Sequence, residues 1–144
     1  MDLLKIARVP AVTIGSRARV RDAVQAMTLQ NAGAVVVVED ELPLGIFTAS
    51  DLLKRVAAKG LPLDATPITD VMTAPLTVAC HDMACKDALS LMASSHIRHL
   101  AIVDSHGRVG GMLTTRHLLR NMVESLTQEV LSLDSYYCAD GIGG

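Results

Sequence analysis

The 144-residue chain has no tryptophan, one phenylalanine and two tyrosines, although half of it is hydrophobic. Aromatic rings cannot carry such a core. Aliphatic side chains must, with seven methionines to fill irregular gaps. A basic excess is missing too: 13 Lys and Arg against 15 Asp and Glu leave a formal charge of −2. That excludes the broad positive surface needed to hold nucleic acid or an anionic membrane. No apolar run approaches the roughly 18 residues of a membrane span, and the N-terminus lacks the apolar stretch of a signal peptide. Cysteine is sparse and odd in number (Cys80, Cys85 and Cys138), which fits a reduced, cytoplasmic protein better than a disulfide framework. At this length one domain, or two tightly joined halves, buries roughly 68–70% of the unfolded surface.

What the chain does contain is itself, twice, about 65 residues apart. The first copy runs through Val12-Thr13-Ile14, Asp22-Ala23-Val24 with Met27, Val35 to Val38, and Gly45-Ile46-Phe47-Thr48-Ala49-Ser50-Asp51. The second runs through Leu76-Thr77-Val78, Asp87-Ala88-Leu89 with Met92, Leu100 to Val103, and Gly111-Met112-Leu113-Thr114-Thr115-Arg116-His117. On this matching the spacing slips by one residue twice, before the first helix and between the paired strands. Two units are too few for a solenoid and predict two similar halves packed face to face, with related clefts.

Each copy reads strand, helix, strand, strand, helix. The first helix repeats apolar residues at i, i+3, i+4, i+7, as Val20, Ala23, Val24, Met27 and as Cys85, Ala88, Leu89, Met92, with Asp82 as the predicted cap of the second. Ala34 to Val38 is a continuous apolar run, the mark of a strand covered on both faces. Glu39-Asp40-Glu41 and Asp104 to Arg108 are turns, the latter with Gly107 for a positive φ. A Pro-punctuated linker, Gly60 to Pro67, joins the copies. The last helix is predicted from about Thr114 to about Leu133, followed by a Gly-rich tail from Cys138 to Gly144 that should fray. Its apolar residues Leu118, Leu119, Met122, Val123, Leu126, Val130, Leu131 and Leu133 exceed what one stripe against a sheet requires, so part of them should form an interface.

The chemistry concentrates where a strand hands over to a helix, at Thr48-Ala49-Ser50-Asp51. Free N–H groups there suit an anion, and a carboxylate can accept both hydroxyls of a ribose. The same pattern is an ordinary capping box worth about 1 kcal/mol, and one residue can serve both ends. Lys54, Arg55 and Lys59 read as a solvated helix face. Cys80, His81 and Cys85 lack metal-ligand spacing, so no metal is expected. No third group orients a Cys–His nucleophile, so no catalytic residue is expected.

The tandem units, the segment Asp70-Val71-Met72-Thr73, the strand Arg98-His99-Leu100-Ala101-Ile102-Val103-Asp104 and the Gly-x-x-Thr-x-x-Asp element over 45–51 together resemble a pair of cystathionine β-synthase (CBS) domains, a Bateman module. The resemblance implies an α+β fold of two pseudo-symmetric β-α-β-β-α repeats packed sheet to sheet. Repeat one would span 5–60, a linker and lead-in 61–72, repeat two 73–127, and a helix end with a flexible tail 128–144. It implies a non-enzymatic, dimeric regulator binding an adenosine-containing ligand (AMP, ADP, ATP or S-adenosylmethionine) between the repeats. Carried over by position, Asp51 would hold the ribose, with Thr48 and Ser50 beside it and Thr73, Leu76, Ile97, Arg98 and His99 from the other copy. Arg98 and His99 would meet phosphate; the first copy has Gly33-Ala34 there, so the fold itself does not demand the basic pair. A weaker second cleft would gather Ala32, Gly33, Thr114, Arg116 and His117, where a histidine replaces the ribose-binding Asp. The competing expectation is a ligand-independent dimeric scaffold.

Overall fold

Val35, Val36 and Val37 are all fully buried, although successive strand residues point to opposite faces. Their strand must therefore be covered on both sides, and this requirement organises the molecule. The computed structural model describes residues 2–139. The first copy forms β1 (Thr13–Gly15), α1 (Val20–Leu29), β2 (Ala34–Glu39), β3 (Leu42–Thr48) and α2 (Ala49–Asp51), which continues as a π-helix over Leu52–Ala57. The second forms β4 (Val78–Cys80), α3 (Cys85–Ser94), β5 (His99–Val103), β6 (Val109–Thr114) and α4 (Thr115–Ala139). Each copy builds a three-stranded sheet whose middle strand is parallel to the first and antiparallel to the third.

The alternation of the strands sorts their side chains into three cores. Val35, Val37 and Phe47 pack on Val20, Ala23 and Met27 of α1. Leu100, Ile102 and Leu113 pack on Ala88 and Met92 of α3 and on Leu118 of α4. Between the sheets, Ala34 and Val36 meet Ala101 and Met112. The expected α+β fold of two pseudo-symmetric repeats packed sheet to sheet is what the chain adopts.

The segments leading into each repeat cross over. Leu3, in a 3-10 turn over Leu3–Lys5, is buried in the second repeat's core, and Arg8 exchanges backbone hydrogen bonds of 2.9 and 3.0 Å with Met112 of β6. Ile68 and Val71 lie in the first repeat's core, and Thr73 exchanges bonds of 2.8 and 2.9 Å with Ile46 of β3. Both approaches need glycine: a Cβ on Gly45 would sit 2.9 Å from the Thr73 carbonyl oxygen, and one on Gly111 3.0 Å from that of Arg8.

Three expectations need correction. Thr13 pairs with Val36 and Val78 with Ala101, so Thr13 matches Val78 and not Thr77; the first slip disappears. The slip between the paired strands remains and falls in the turn, since four residues separate Val38 from its partner Pro43 and five separate Val103 from Val109, and an extra residue in a loop costs little. Asp82 does not cap α3; its N-cap is Ala84, which makes no side-chain cap bond. The last helix continues to Ala139, six residues beyond Leu133 and past Cys138, because nothing in that stretch is glycine or proline. The remainder of the expected tail lies outside the described residues. Gly107 does take a positive φ, +78°. Among the described residues no helix is long and apolar enough to cross a membrane.

Candidate functional site

The strand β3 ends at Thr48, whose extended backbone turns into α2. Its hydroxyl accepts the Asp51 N–H at 3.1 Å, and its own N–H donates to Asp51 Oδ2 at 3.0 Å. The capping box therefore forms as its spacing requires. Asp51 Oδ1 lies 3.5 Å from Arg55 Nε, and only 14% of the Asp51 side chain is exposed. Arg55 in turn donates to the Met72 carbonyl at 2.9 Å. It is thus a strut between the carboxylate and the lead-in of the other repeat, not simply a solvated charge. Thr73 follows directly and is bonded to Ile46, two residues before Thr48. Thr48, Asp51 and Thr73 are brought together at one junction of the two repeats.

Ser50 is exposed on the first turn of α2, and Leu76 packs against the core between the sheets. Ile97 packs against the second core. Arg98 is exposed, with its carbonyl accepting the Thr115 N–H at 3.2 Å. Among the described residues no hydrogen bond or ion pair joins Arg98 to Asp51. His99 lines the other cleft: a Cβ on Gly33 would lie 3.1 Å from its Nε2.

That other cleft has a volume of about 220 Å³ and contains all five residues assigned to it, Ala32, Gly33, Thr114, Arg116 and His117. Arg8 lines it as well; its guanidinium donates to the Asn31 carbonyl at 3.4 Å and to that of Gln30, at the end of α1. Sequence reasoning missed Arg8. The signal was present, since Arg8-Val9-Pro10 stands in the repeat where Thr73-Ala74-Pro75 does. His117 rebuilds the capping box without a carboxylate: its N–H donates to Thr114 Oγ1, and its Nδ1 accepts the Thr114 N–H, both at 3.1 Å. An Nδ1 that accepts carries no proton, so the neutral ring bears its hydrogen on Nε2. Burial first, then Arg120, Arg116 and Arg8, holds His117 below the ordinary histidine value. Burial first, then Arg98 and His117, does the same to His99.

Two copies of one β-α-β-β-α unit, each capped where its third strand meets its last helix and each finished by the other's lead-in, define a tandem-repeat module. The chain belongs to the CBS domain family, whose model matches residues 4–58 and 68–124. It is 36% identical over 89 residues to an uncharacterized protein of Methanopyrus kandleri, covering 61% of this chain and 45% of that one. It is 31% identical over 122 residues to the mitochondrial CBS domain-containing protein CBSX3 of Arabidopsis thaliana, covering 81% and 59%. The chain thus spans about half the length of these curated relatives. A crystal structure of a conserved CBS domain protein of unknown function from Thermoplasma acidophilum superposes with a TM-score of 0.76 at 28% identity, over 83% of this chain and 68% of that one. The fold is also that of a CBS domain protein from Pyrobaculum aerophilum complexed with AMP, with a TM-score of 0.78 at 22% identity, over 89% and 99%.

Proposed function

We propose that this module is a cytoplasmic regulator that binds an adenosine-containing nucleotide (AMP, ADP, ATP or S-adenosylmethionine) between its repeats and signals by a change in their relative arrangement. The carrying observation is Asp51, a mostly buried carboxylate beside the other repeat's lead-in, whose Oδ1 has among the described residues only a 3.5 Å contact to Arg55. That oxygen is the acceptor a ribose diol needs. Ser50 and the exposed Arg98 supply donors nearer solvent, where a phosphate would lie. The AMP held by the Pyrobaculum protein supports the same ligand class. The groups described at this junction are suited to binding and orienting a ligand, which supports a regulatory reading. A ligand of this kind acts only through different affinities for two arrangements.

A thermal-shift series with AMP, ADP, ATP, NAD and S-adenosylmethionine tests it. A ligand at 100 times its Kd should stabilise the fold by about 2.7 kcal/mol. If no member of the series raises the Tm, nucleotide sensing is wrong.

The competing scaffold reading rests on α4, and the two readings share one consequence, a homodimer. Leu119, Val123, Leu126, Val130 and Leu133 follow one another at alternating steps of four and three along α4, and all are half-exposed or more. Valine at one seam position and leucine at the other is the pattern of a two-stranded coiled coil. A specific interface along this seam would need to bury about 1,000 Å² or more in total.

A further inference from the structure

Arg8 from the first lead-in, His99 from β5, and Arg116 and His117 from α4 converge on the 220 Å³ cleft, and no described residue lining it is acidic. None of the four is paired with a carboxylate among the described residues. Among the described residues the Arg8 guanidinium is hydrogen-bonded to neutral carbonyls alone. His117 is fixed by Thr114 with its Nε2–H left over as a donor. The His99 ring makes none of the described hydrogen bonds, and it faces Gly33, where the missing side chain leaves room. The cleft therefore presents donors and positive charge with no counter-charge. A ribose needs the opposite, an acceptor such as Asp51. The volume also falls below the roughly 300 Å³ at which pockets for larger organic ligands begin.

We propose that this second cleft is a site for a small oxyanion of the phosphate class, held by side chains, and that its entry is coupled to proton uptake on His99. Side chains carry most of the holding, because the N–H groups of Thr114, Thr115 and His117 at the α4 terminus are already bonded. Proton uptake follows from the surroundings. Arg98 and His117 face His99, while Arg116, Arg120 and Arg8 face His117. Burial first, and then these charges, disfavour a further positive charge on His99; a bound anion offsets the charges and so favours the proton. His99 takes the proton more easily than His117, which would have to surrender its Thr114 bond. Binding of an oxyanion that does not itself titrate in this range, such as sulfate, should strengthen as pH falls from about 7.5 to 6.

The test is a ¹⁵N-resolved NMR titration of the full chain with inorganic phosphate. The amides of Gly33, Thr114, Arg116 and His117 should shift while those of Thr48 and Asp51 stay, so the result is separate from that of the nucleotide site. Adenosine should leave the first set unmoved. AMP shifting that set in competition with inorganic phosphate would identify a nucleotide's phosphate as the source, and AMP without effect would leave the free anion. Arg116→Ala should weaken phosphate about tenfold, the loss of one charge-assisted contact. The pH series is run with sulfate, which stays a dianion throughout; His99→Ala places there the residue that the first repeat carries at Ala34, and it should abolish the pH dependence. The proposal is overturned if phosphate moves none of these amides, if adenosine moves them equally, or if the pH dependence survives in His99→Ala.

Discussion

Asp51 and His117 close the same capping box by different chemistry: each accepts the N–H of the threonine three residues before it, at 3.0 and 3.1 Å. The carboxylate retains a second oxygen, which can accept further. The imidazole retains an N–H, which can only donate. One substitution thus turns two clefts of common design into an acceptor site and a donor site.

Asp51→Asn keeps an acceptor for the Thr48 N–H but removes the charge. Nucleotide affinity should fall by about 1.5–3 kcal/mol, while the fold loses about 1 kcal/mol. Calorimetry with a nucleotide that binds the parent chain decides, and an unchanged Kd would remove Asp51 from the site.

Arg98→Ala should weaken AMP or ATP and flatten the salt dependence of their binding, leaving adenosine nearly unaffected. An equal loss for adenosine would mean that Arg98 supports the shape of the site and does not contact phosphate.

His117 should make the fold acid-sensitive. Its folded pKa is depressed below the ordinary 6.5, so the unfolded chain takes the proton first. Its contribution is present above about pH 6.5 and is lost as the pH falls through the folded value, with His99 acting in the same direction. Urea unfolding at pH 7.5 and 5.5 should show the loss, and His117→Asn, which caps without titrating, should shrink it. An identical pH response in the variant would contradict the role of the imidazole.

Gly45→Ala should destabilise the protein by about 1–3 kcal/mol, because its Cβ would lie 2.6 Å from Met72 Sδ and 2.9 Å from the Thr73 oxygen. Gly15→Ala, with nothing within 4 Å, is the matched control. Equal urea midpoints for the two would show that the lead-in can shift.

Sedimentation equilibrium at micromolar concentration should give a dimer mass. Leu126→Glu with Val130→Glu should return a monomer, since two charges in the seam cannot be buried unpaired. A dimer that survives both changes places the contact elsewhere.

Much of this was legible in the sequence, for reasons that differ by element. Val35 to Val37 announce their strand because no half-exposed surface tolerates such a run. The Thr48–Asp51 box was visible because capping is local chemistry at fixed spacing. The pairing of Thr13 with Val36 was not, since Val-Thr-Ile resembles Leu-Thr-Val whichever residues face each other. The place of His99 depends on how two sheets meet, which no local pattern encodes. Arg55 was read as a solvated charge because its partner carbonyl belongs to a segment 17 residues away.

Leu3 and Ile68 each complete a core that belongs to the other half of the chain. Neither half, cut free at the linker, would keep its own interior intact, and the two should melt in a single transition. The same clasp restrains motion. Any ligand that wedges the sheets apart must work against the Arg8–Met112 and Thr73–Ile46 ladders together.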